Sequence, residues 1–181
     1  PIRDKVQLAD YMRGFPAGEI IVLQKLVPYQ KEAGVFYVRK PNEPMGRIFS
    51  INFKIFPTLI GDGKRSLKEL ILADPRSRRL RHIFLPRHGR HLDRVISEGE
   101  KYPLVFVGDH AQGCIFKEGT DRQTPALLAR IHEIASALPE FYFGRMDIRF
   151  RSDESFLCGE DFQVVEVNGA GSEATNIWDP E

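Results

Sequence analysis

The chain has 181 residues, of which 42% are hydrophobic and 28% are charged, and its 26 basic and 25 acidic residues nearly cancel. This composition is typical of a folded chain with its own core, excludes wholesale disorder, and points to no particular charged partner. No apolar run approaches the ~20 residues that cross a bilayer, so we expect no membrane segment. Cys114 and Cys158 are too few for a disulfide framework and indicate reduced thiols in the cytoplasm.

Two further expectations follow from the residues at the chain ends and from the spacing of the histidines. Pro1 is not an initiator and Glu181 follows no terminating element, so we expect a segment of a longer protein. His82, His88 and His91 lack the H-E-x-x-H spacing and have no cysteine nearby, which argues against a zinc site.

The first third of the chain predicts one helix and three strands. Apolar residues at helical spacing predict a short helix over residues 4–13. Runs rich in β-branched and aromatic residues predict strands over residues 19–27, 34–39 and 46–56. The Pro-Asn-Glu-Pro cluster at 41–44 predicts a turn between the last two strands.

The middle of the chain predicts a turn, a capped helix and an arginine-rich stretch. The chain turns at 61–63, and Ser66 followed three residues later by Glu69 has the capping-box form that begins a helix. Pro75 is expected to end this helix. The stretch that follows, 76–94, is crowded with arginines, namely Arg76, Arg78, Arg79, Arg81, Arg87, Arg90 and Arg94.

The last third predicts a short strand, the clearest helix and the two best strands. Residues 104–107 form an apolar run expected to be a buried strand, and Thr124 with Pro125 begins a helix with an apolar stripe. The best strands cover 143–150 and 162–168, joined by a polar loop near Ser155. Many strands with few crossover helices predict an α+β fold with a largely antiparallel sheet flanked by helices.

The two best strands place acidic residues in register. Because side chains alternate along a strand, Arg145, Asp147 and Arg149 share one face, as do Glu166 and Asn168. Paired as a hairpin, these strands bring Asp147 close to Glu166, where a hard divalent ion relieves the repulsion and Asn168 adds a neutral oxygen. The arginines could then contact phosphate or a developing oxyanion.

A simpler interpretation of the same alternation is a surface hairpin with solvated charges and cross-strand ion pairs. The segment that follows, Gly169-Ala170-Gly171-Ser172, favours a functional site, because backbone N–H groups of such small residues can approach an anion closely. Both interpretations stay open on the residues alone.

The two segments FGRMDIR (143–149) and VVEVNG (164–169) resemble the paired metal-ligand strands of the ATP-grasp superfamily, in its D-alanine–D-alanine ligase-like and cyanophycin-synthetase-like branches. The resemblance implies an ATP-grasp-type fold in which Asp147, Glu166 and Asn168 hold Mg²⁺, with Mn²⁺ as the alternative ion. It also implies that Arg145 stabilises the transferring phosphoryl group or the tetrahedral intermediate.

The segment 20–27 with Glu32 beyond it is similar to the adenine-binding hinge and the ribose-binding acid of this superfamily. The resemblance implies contacts to ATP from Gln24, Lys25, Leu26, Val27 and Glu32. Family members often carry glutamate where this chain has glutamine.

A third segment, from Lys54 through GDGKRSL (61–67), resembles the Arg-x-Pro…Gly-Asp-Gly-Lys-Ser-Thr segment of cyanophycin-synthetase-like ligases. It implies a phosphate contact from Lys54. A substrate or lid role is expected of Gly61, Asp62, Gly63 and Lys64, with a plain tight turn as the alternative. A P-loop is excluded because Thr58 and Arg65 stand where glycine and Ser/Thr are required. The resemblance covers most of residues 19–72 and 142–178.

ATP-grasp enzymes supply two phosphate-binding lysines and a flexible glycine-rich loop from sequence before the hinge, and few residues precede it here. We therefore expect residues 1–181 to be a single ATP-grasp domain fragment that needs the remaining N-terminal part of the same protein.

The resemblance implies an ATP-dependent ligase that joins a small carboxylate to an amine or a thiol through an acyl phosphate. Catalytic roles fall on Arg145, Arg149, Gly171 and Ser172. A phosphotransferase on the same scaffold and a non-catalytic nucleotide-binding or nucleic-acid-binding module are the alternatives, and a homodimer is left open.

Two other features have competing interpretations. His110 follows the predicted strand at 104–107 and is interpreted as part of a turn, or as a residue that orients an acceptor substrate. The arginines of 76–94 could bind nucleic acid through phosphate, but Phe84 is the only aromatic residue there for base stacking. A solvated helical face, or a collar that attracts an anionic substrate, is therefore favoured.

Overall fold

A computed structural model describes residues 2–174, which form an α+β fold with two antiparallel sheets. Pro1 and residues 175–181 lie outside the described residues, as does the end of the family resemblance at 175–178. The strands are β1 (Lys31–Val38), β2 (Arg47–Ile55), β3 (Thr58–Ile60), β4 (Lys101–Pro103), β5 (Ile115–Glu118), β6 (Phe143–Phe150) and β7 (Phe162–Asn168). The main sheet has the order β5-β2-β1-β6-β7, and β3 pairs with β4.

The helices flank these sheets, which confirms the predicted α+β class. They are α1 (Lys5–Met12), α2 (Leu67–Ala73), α3 (Pro75–Arg79), α4 (Arg81–Arg87), α5 (Pro125–Ala137) and α6 (Asp153–Leu157). Short 3₁₀ turns cover Gly89–His91, His110–Gln112 and Thr120–Arg122. Within residues 2–174, no helix has both the length and the apolarity to cross a membrane.

One face of the main sheet packs against α5 and forms the larger core. The predicted cap is present, because the Thr124 hydroxyl accepts a hydrogen bond from the backbone N–H of Leu127 and Pro125 occupies the first turn. The helix then buries Leu127, Ile131 and Ala135, which recur at intervals of four residues. The buried strand residues of this core are Ala33, Val35, Tyr37, Ile48, Ile51, Phe53, Met146, Ile148 and Phe150.

A second core lies between the small sheet and the helices α2–α4. The predicted capping box is complete, since Ser66 accepts from the backbone of Glu69 and the Glu69 carboxylate accepts from the backbone of Ser66. Leu67, Ile71 and Phe84 are the fully buried helical members of this core. The helices α2 and α4 are thereby fixed against β3 and β4.

The edge strand β7 contains a bulge that separates its two halves. Asp147 pairs with Glu166, whereas its neighbour Ile148 pairs with Val164, so Val165 is the extra residue. Val164 consequently packs against the larger core while Glu166 lies on the opposite, polar face. The strict alternation that the sequence predicts for this strand holds on each side of the bulge and is interrupted at Val165.

Several local predictions are wrong for identifiable reasons. Residues 19–27 form no strand, because no neighbouring strand within residues 2–174 pairs with them. Residues 104–107 form no strand either, although Leu104 and Val105 are buried. The polar connection near Ser155 is the helix α6 rather than a loop. The remaining predicted strands and helices are confirmed, with ends within a few residues of those expected.

Candidate functional site

The polar face of the main sheet collects charged residues from β1, β2, β6 and β7. In the central strand, Glu32 is the register partner of Lys54 on one side and of Arg149 on the other. Asp147 lies two residues from Arg149 in β6, opposite Glu166. The antiparallel register therefore brings together residues that are more than a hundred positions apart in the chain.

Glu32 is the centre of a buried ion-pair network. Its Oε1 accepts a hydrogen bond from Lys54 Nζ at 2.7 Å, and its Oε2 accepts from Arg149 Nε at 3.1 Å. Glu32, Lys54 and Arg149 are 5%, 7% and 6% exposed. Charges at this depth are stable only when paired, so the three side chains form a single unit.

Asp147 joins this unit and connects it to the open part of the site. Its Oδ2 lies 3.3 Å from Lys54 Nζ, and Arg145 donates to both carboxylate oxygens, from Nε at 2.8 Å and from Nη2 at 3.2 Å. Asp147 is buried, whereas the Arg145 side chain is 20% exposed. The network thus holds three cations against two acids, and Arg145 is its cation nearest to solvent.

A loop after β4 covers the network, and sequence reasoning missed it. The carbonyl oxygen of Phe106 accepts from Arg149 Nη2, and the Phe106 ring centre lies 4.2 Å from the guanidinium carbon. A Cβ atom on Gly108 would lie 2.3 Å from Lys54 Cδ and 2.6 Å from Glu32 Oε1, so only glycine fits there. The sequence signal for this close approach was weak, a glycine after an apolar run.

A second glycine makes room on the strand itself. A Cβ atom on Gly34 would lie 2.9 Å from Arg145 Cδ and 3.3 Å from Asp147 Oδ1. Gly34 is the register partner of Asp147 in β1. Its missing side chain lets Arg145 lie across the sheet and contact Asp147 with two nitrogens.

The structure brings the three predicted metal ligands to one place. Asp147 and Glu166 are register partners, and Asn168 is the register partner of Arg145. With its amide oriented to satisfy both neighbours, Asn168 donates to Glu166 Oε1 at 3.2 Å and accepts from Arg145 Nη2 at 3.2 Å. Within residues 2–174, no group of three or more His, Cys, Asp or Glu side chains could hold a metal ion.

The donor chemistry nevertheless fits a hard divalent ion. Two carboxylates and one amide oxygen on adjacent strands are the ligand types that Mg²⁺ takes, with the remaining positions left to water and phosphate oxygens. Arg145 and Lys54 compete for Asp147, while Glu166 is exposed and, within residues 2–174, has only the neutral Asn168 as a hydrogen-bonded neighbour. Glu166 is therefore the accessible donor.

The predicted nucleotide contacts divide into two groups. Glu32 and Lys54 belong to the buried network, where each already has charged partners. The hinge residues Gln24, Lys25, Leu26 and Val27 lie beside the edge strand, where the Gln24 side chain donates to the Val165 carbonyl at 3.4 Å. Val27 is buried, whereas Leu26 is 51% exposed.

The predicted substrate segment connects β3 to α2, between Leu59 and Leu67 of the second core. The Asp62 carboxylate accepts from the backbone N–H groups of Lys64 and Arg65, and these contacts hold the pKa of Asp62 well below its usual range. Gly63 has a φ of +71°, and Gly61 donates to the carbonyl of Glu100 at 2.9 Å. These contacts describe a tight turn, and a substrate role for Gly61–Lys64 stays a prediction.

His110, Gly171 and Ser172 lie at the margins of the network. The His110 ring lies 5.8 Å from that of Phe116, which is the register partner of Lys54. Ser172 lies in the loop after β7, and its hydroxyl donates to the Gly169 carbonyl at 2.6 Å. That loop contacts the network through Glu173, whose carbonyl accepts from Arg145 Nη1 at 3.3 Å.

A shallow cavity of about 250 Å³ opens beside the network, at the end of the central strands. Glu32 and Lys54 contribute to its wall, together with Phe53, Phe150 and Lys117. Sites for drug-sized ligands usually enclose about 300–1,000 Å³. A nucleotide would therefore need the neighbouring loops to move apart.

Comparison with known proteins gives little additional information. No family model matches the chain, and no curated protein matches it. Among solved structures, it is similar to a bifunctional glutathione synthetase from Pasteurella multocida, with a TM-score of 0.45 and 14% identity over 81% of this chain. The chain spans about a fifth of that neighbour, 21% of its length. A likeness of this size supports no inference about activity.

Proposed function

We propose that the buried network and the adjoining oxygen donors form the nucleotide and metal site of an ATP-dependent ligase that joins a carboxylate to an amine or a thiol. The proposal is supported by residues from different segments of the chain that meet in one place. Glu32, Lys54 and the pair Arg145 and Asp147 come from three separate segments, for which the family resemblance implies ribose, phosphate, phosphoryl and metal contacts. In the structure all four belong to one network of ion pairs.

The geometry assigns different tasks to the three cations. Arg149 is committed to Glu32 and to the carbonyl of Phe106, so it acts as a positioning residue rather than by contact with substrate. Lys54 is buried between Glu32 and Asp147 and holds both carboxylates in place. Arg145 is partly exposed and is the cation that would reach a phosphoryl group.

The proposed reaction has two steps. An oxygen of the substrate carboxylate forms a bond to the γ-phosphorus of ATP, the bond to the β,γ-bridging oxygen breaks, and ADP leaves with an acyl phosphate formed. The amine nitrogen then bonds to the acyl carbon, inorganic phosphate leaves, and the amine proton passes to solvent. Arg145 would stabilise the charge on the transferring group, and Gly171 and Ser172 would lie near the tetrahedral oxyanion.

Asp147, Glu166 and Asn168 would hold the divalent ion, which would neutralise phosphate charge in this site. Because Arg145 contacts both oxygens of Asp147 in the structure, the guanidinium would have to release at least one of them for Asp147 to hold the ion. Arg145 also donates to the carbonyl of Glu173, which connects it to the loop that carries Gly171 and Ser172.

The test compares two exposed glutamates in titrations of ATP with Mg²⁺ into the protein. Glu166→Gln removes an accessible donor, and we expect about a tenfold or greater loss of affinity, since a charge-assisted contact contributes about 1.5–3 kcal/mol. Glu160→Gln removes an exposed charge elsewhere and should have no effect. Equal affinities in the two variants, or no binding by the unmodified protein, would overturn the proposed site.

Product analysis tests the reaction class separately. The protein is incubated with ATP, Mg²⁺ and a panel of small carboxylates with amines or thiols, and the products are identified by mass. ADP formed together with an amide or thioester supports the ligase. ADP with a phosphorylated metabolite identifies a phosphotransferase instead, and ATP binding without ADP formation identifies a non-catalytic nucleotide-binding module.

A further inference from the structure

The strongest concentration of charge outside the sheet lies on α3, α4 and the 3₁₀ turn after them. Residues 76–94 contain seven arginines, no lysine and a single acid, Asp93. The chain has 26 basic and 25 acidic residues in total, so the rest of it carries 19 basic against 24 acidic residues. A strongly basic segment therefore stands out from an otherwise acidic molecule.

Three of these arginines make side-chain hydrogen bonds or ion pairs within the fold. Arg76 donates to the carbonyls of Gly113 and Cys114 at 3.1 and 3.3 Å. Arg94 pairs with Glu100 at 2.8 Å, and Arg81 donates to a backbone carbonyl of α3 at 3.0 Å. The other four are exposed and make no side-chain hydrogen bond or ion pair within residues 2–174. We call these four the arginine surface: Arg78, Arg79, Arg87 and Arg90.

The helices that carry most of the arginine surface are anchored by buried residues. Phe84 is fully buried in the second core, and Ser77 is 3% exposed and donates its backbone N–H to Asp74. Buried residues thus anchor α3 and α4, which bear three of the four arginines, and Arg90 lies in the 3₁₀ turn after them. Four exposed like charges on these consecutive elements attract a polyanion.

The residue types of the arginine surface favour phosphate over other anions as the ligand. In a nucleic acid, they favour contact with the phosphate backbone over contact with the bases. A guanidinium matches two phosphate oxygens with a planar fork, whereas lysine, absent here, supplies a point charge. The only aromatic residue of the segment, Phe84, is fully buried, so it offers no face on which a base could stack. Within residues 76–94 no large hydrophobic side chain is exposed that could enter a bilayer, and the nearest in the chain is Val95, which is 49% exposed.

We propose that the arginine surface binds a double-stranded nucleic acid through its phosphates, without reading its bases. A duplex presents closely spaced phosphates and keeps its bases stacked inside, which suits a segment with several exposed arginines and no exposed aromatic residue. This proposal is independent of the ATP site, which lies on the main sheet.

The test measures fluorescence anisotropy of labelled 20-base-pair RNA and DNA duplexes with the protein at 50 and 200 mM KCl. Four phosphate contacts predict that the affinity falls about 100-fold between these salt concentrations. The variant Arg78→Gln/Arg79→Gln/Arg87→Gln/Arg90→Gln should lose at least tenfold in affinity at 50 mM KCl, and most of its salt dependence.

The control variant, Arg3→Gln/Lys5→Gln/Arg47→Gln/Lys101→Gln, removes the same number of charges from exposed positions elsewhere and should retain the affinity and the salt dependence. Thermal melts establish that both variants are folded. The proposal is overturned when the two variants lose affinity equally, or when neither duplex binds at 50 mM KCl. Arginine-dependent binding to phosphatidylserine vesicles with no duplex binding would identify a membrane surface as the partner instead.

Discussion

Gly108 and Lys54 lie so close together that a Cβ atom on the glycine would be 2.3 Å from Cδ of the lysine. The same Cβ atom would be 2.6 Å from Glu32 Oε1. The loop that covers the polar face is thus fitted to the Lys54–Glu32 pair, and neither group has room to move while the loop is closed.

Gly108→Ala should therefore displace the loop or the pair. We expect a loss of about 1–3 kcal/mol in the free energy of unfolding, as for other overpacked interiors, measured by urea denaturation. Gly89→Ala is the matched control, since a Cβ atom there meets nothing within 4 Å. Equal stability of the two variants would show that the loop does not press on the pair.

Glu32→Gln should be the most destabilising single change in the network. It leaves Lys54 and Arg149 buried with less compensating charge, and removal of one partner from a buried pair costs about 3–5 kcal/mol. The exposed pair Arg130–Glu133 provides the control, because Glu133→Gln should cost under about 1 kcal/mol. Chemical denaturation of both variants checks the difference.

The double variant Glu32→Gln/Lys54→Met tests whether the network acts as a unit. Removal of both the acid and one of its cations leaves fewer uncompensated charges, so the double loss should be smaller than the sum of the single losses. Strictly additive losses would mean that the two side chains contribute independently, contrary to the 2.7 Å contact between them.

The two thiols should differ sharply in reactivity. Cys114 is fully buried, and this burial raises the pKa of its thiol to about 11, whereas Cys158 is exposed. At pH 8 we expect one thiol to react with a disulfide reagent at least tenfold faster than the other, because only the thiolate attacks. Peptide mapping should locate the fast site at Cys158, and fast labelling of Cys114 would contradict its burial.

The raised pKa of Cys114 also predicts how the stability of the protein changes at alkaline pH. An unfolded cysteine has a pKa near about 8.5, so the folded state holds the proton more tightly. This difference stabilises the folded protein fully below the pKa of the unfolded cysteine. The stabilisation is lost as the pH rises through the pKa of Cys114 in the folded protein. Between pH 9 and 11 the unfolding free energy of the unmodified protein should therefore fall more steeply than that of Cys114→Ala.

The cap of α5 should contribute measurably to stability. Thr124 accepts from Leu127 N at 3.1 Å and donates to the carbonyl of Leu157, so it also connects this helix to α6. Thr124→Ala should cost about 1–2 kcal/mol. Thr58→Ala, whose exposed hydroxyl only donates to a nearby carbonyl, should change the melting temperature little by comparison.

Predictions from sequence succeeded where the determinants are local. The sequence pattern predicted β6 and β7 with the residue bounds that the structure has. The cap at Thr124 and the box at Ser66 predicted where α5 and α2 begin. Such signals lie within a few residues of the element that they begin or terminate.

Predictions failed where the outcome depends on a distant partner. Residues 19–27 have strand propensity, yet strand formation needs a neighbouring ladder, and Ile20 and Val22 are 94% and 86% exposed instead. The bulge at Val165 depends likewise on the core beneath β7. Strand propensity alone indicates neither the lack of a partner strand nor the position of the bulge.

In the candidate site, too, local features were predicted from the sequence and contacts between distant segments were not. Its acids and arginines were predicted one by one, because residue type and strand face are local properties. That Lys54 contacts Asp147 and Glu32 contacts Arg149 follows from the β2-β1-β6 register, which no single segment specifies. Phe106 and Gly108 were missed for that reason.

The bulge at Val165 also affects how this protein meets other chains. β7 is an edge strand, and an edge with regularly spaced free N–H and C=O groups is a template for pairing with a strand of another molecule. An extra residue in the middle of the strand interrupts that spacing, and the opposite edge, β5, has only four residues. Neither border of the sheet offers a long regular ladder, so the sheet resists edge-to-edge aggregation.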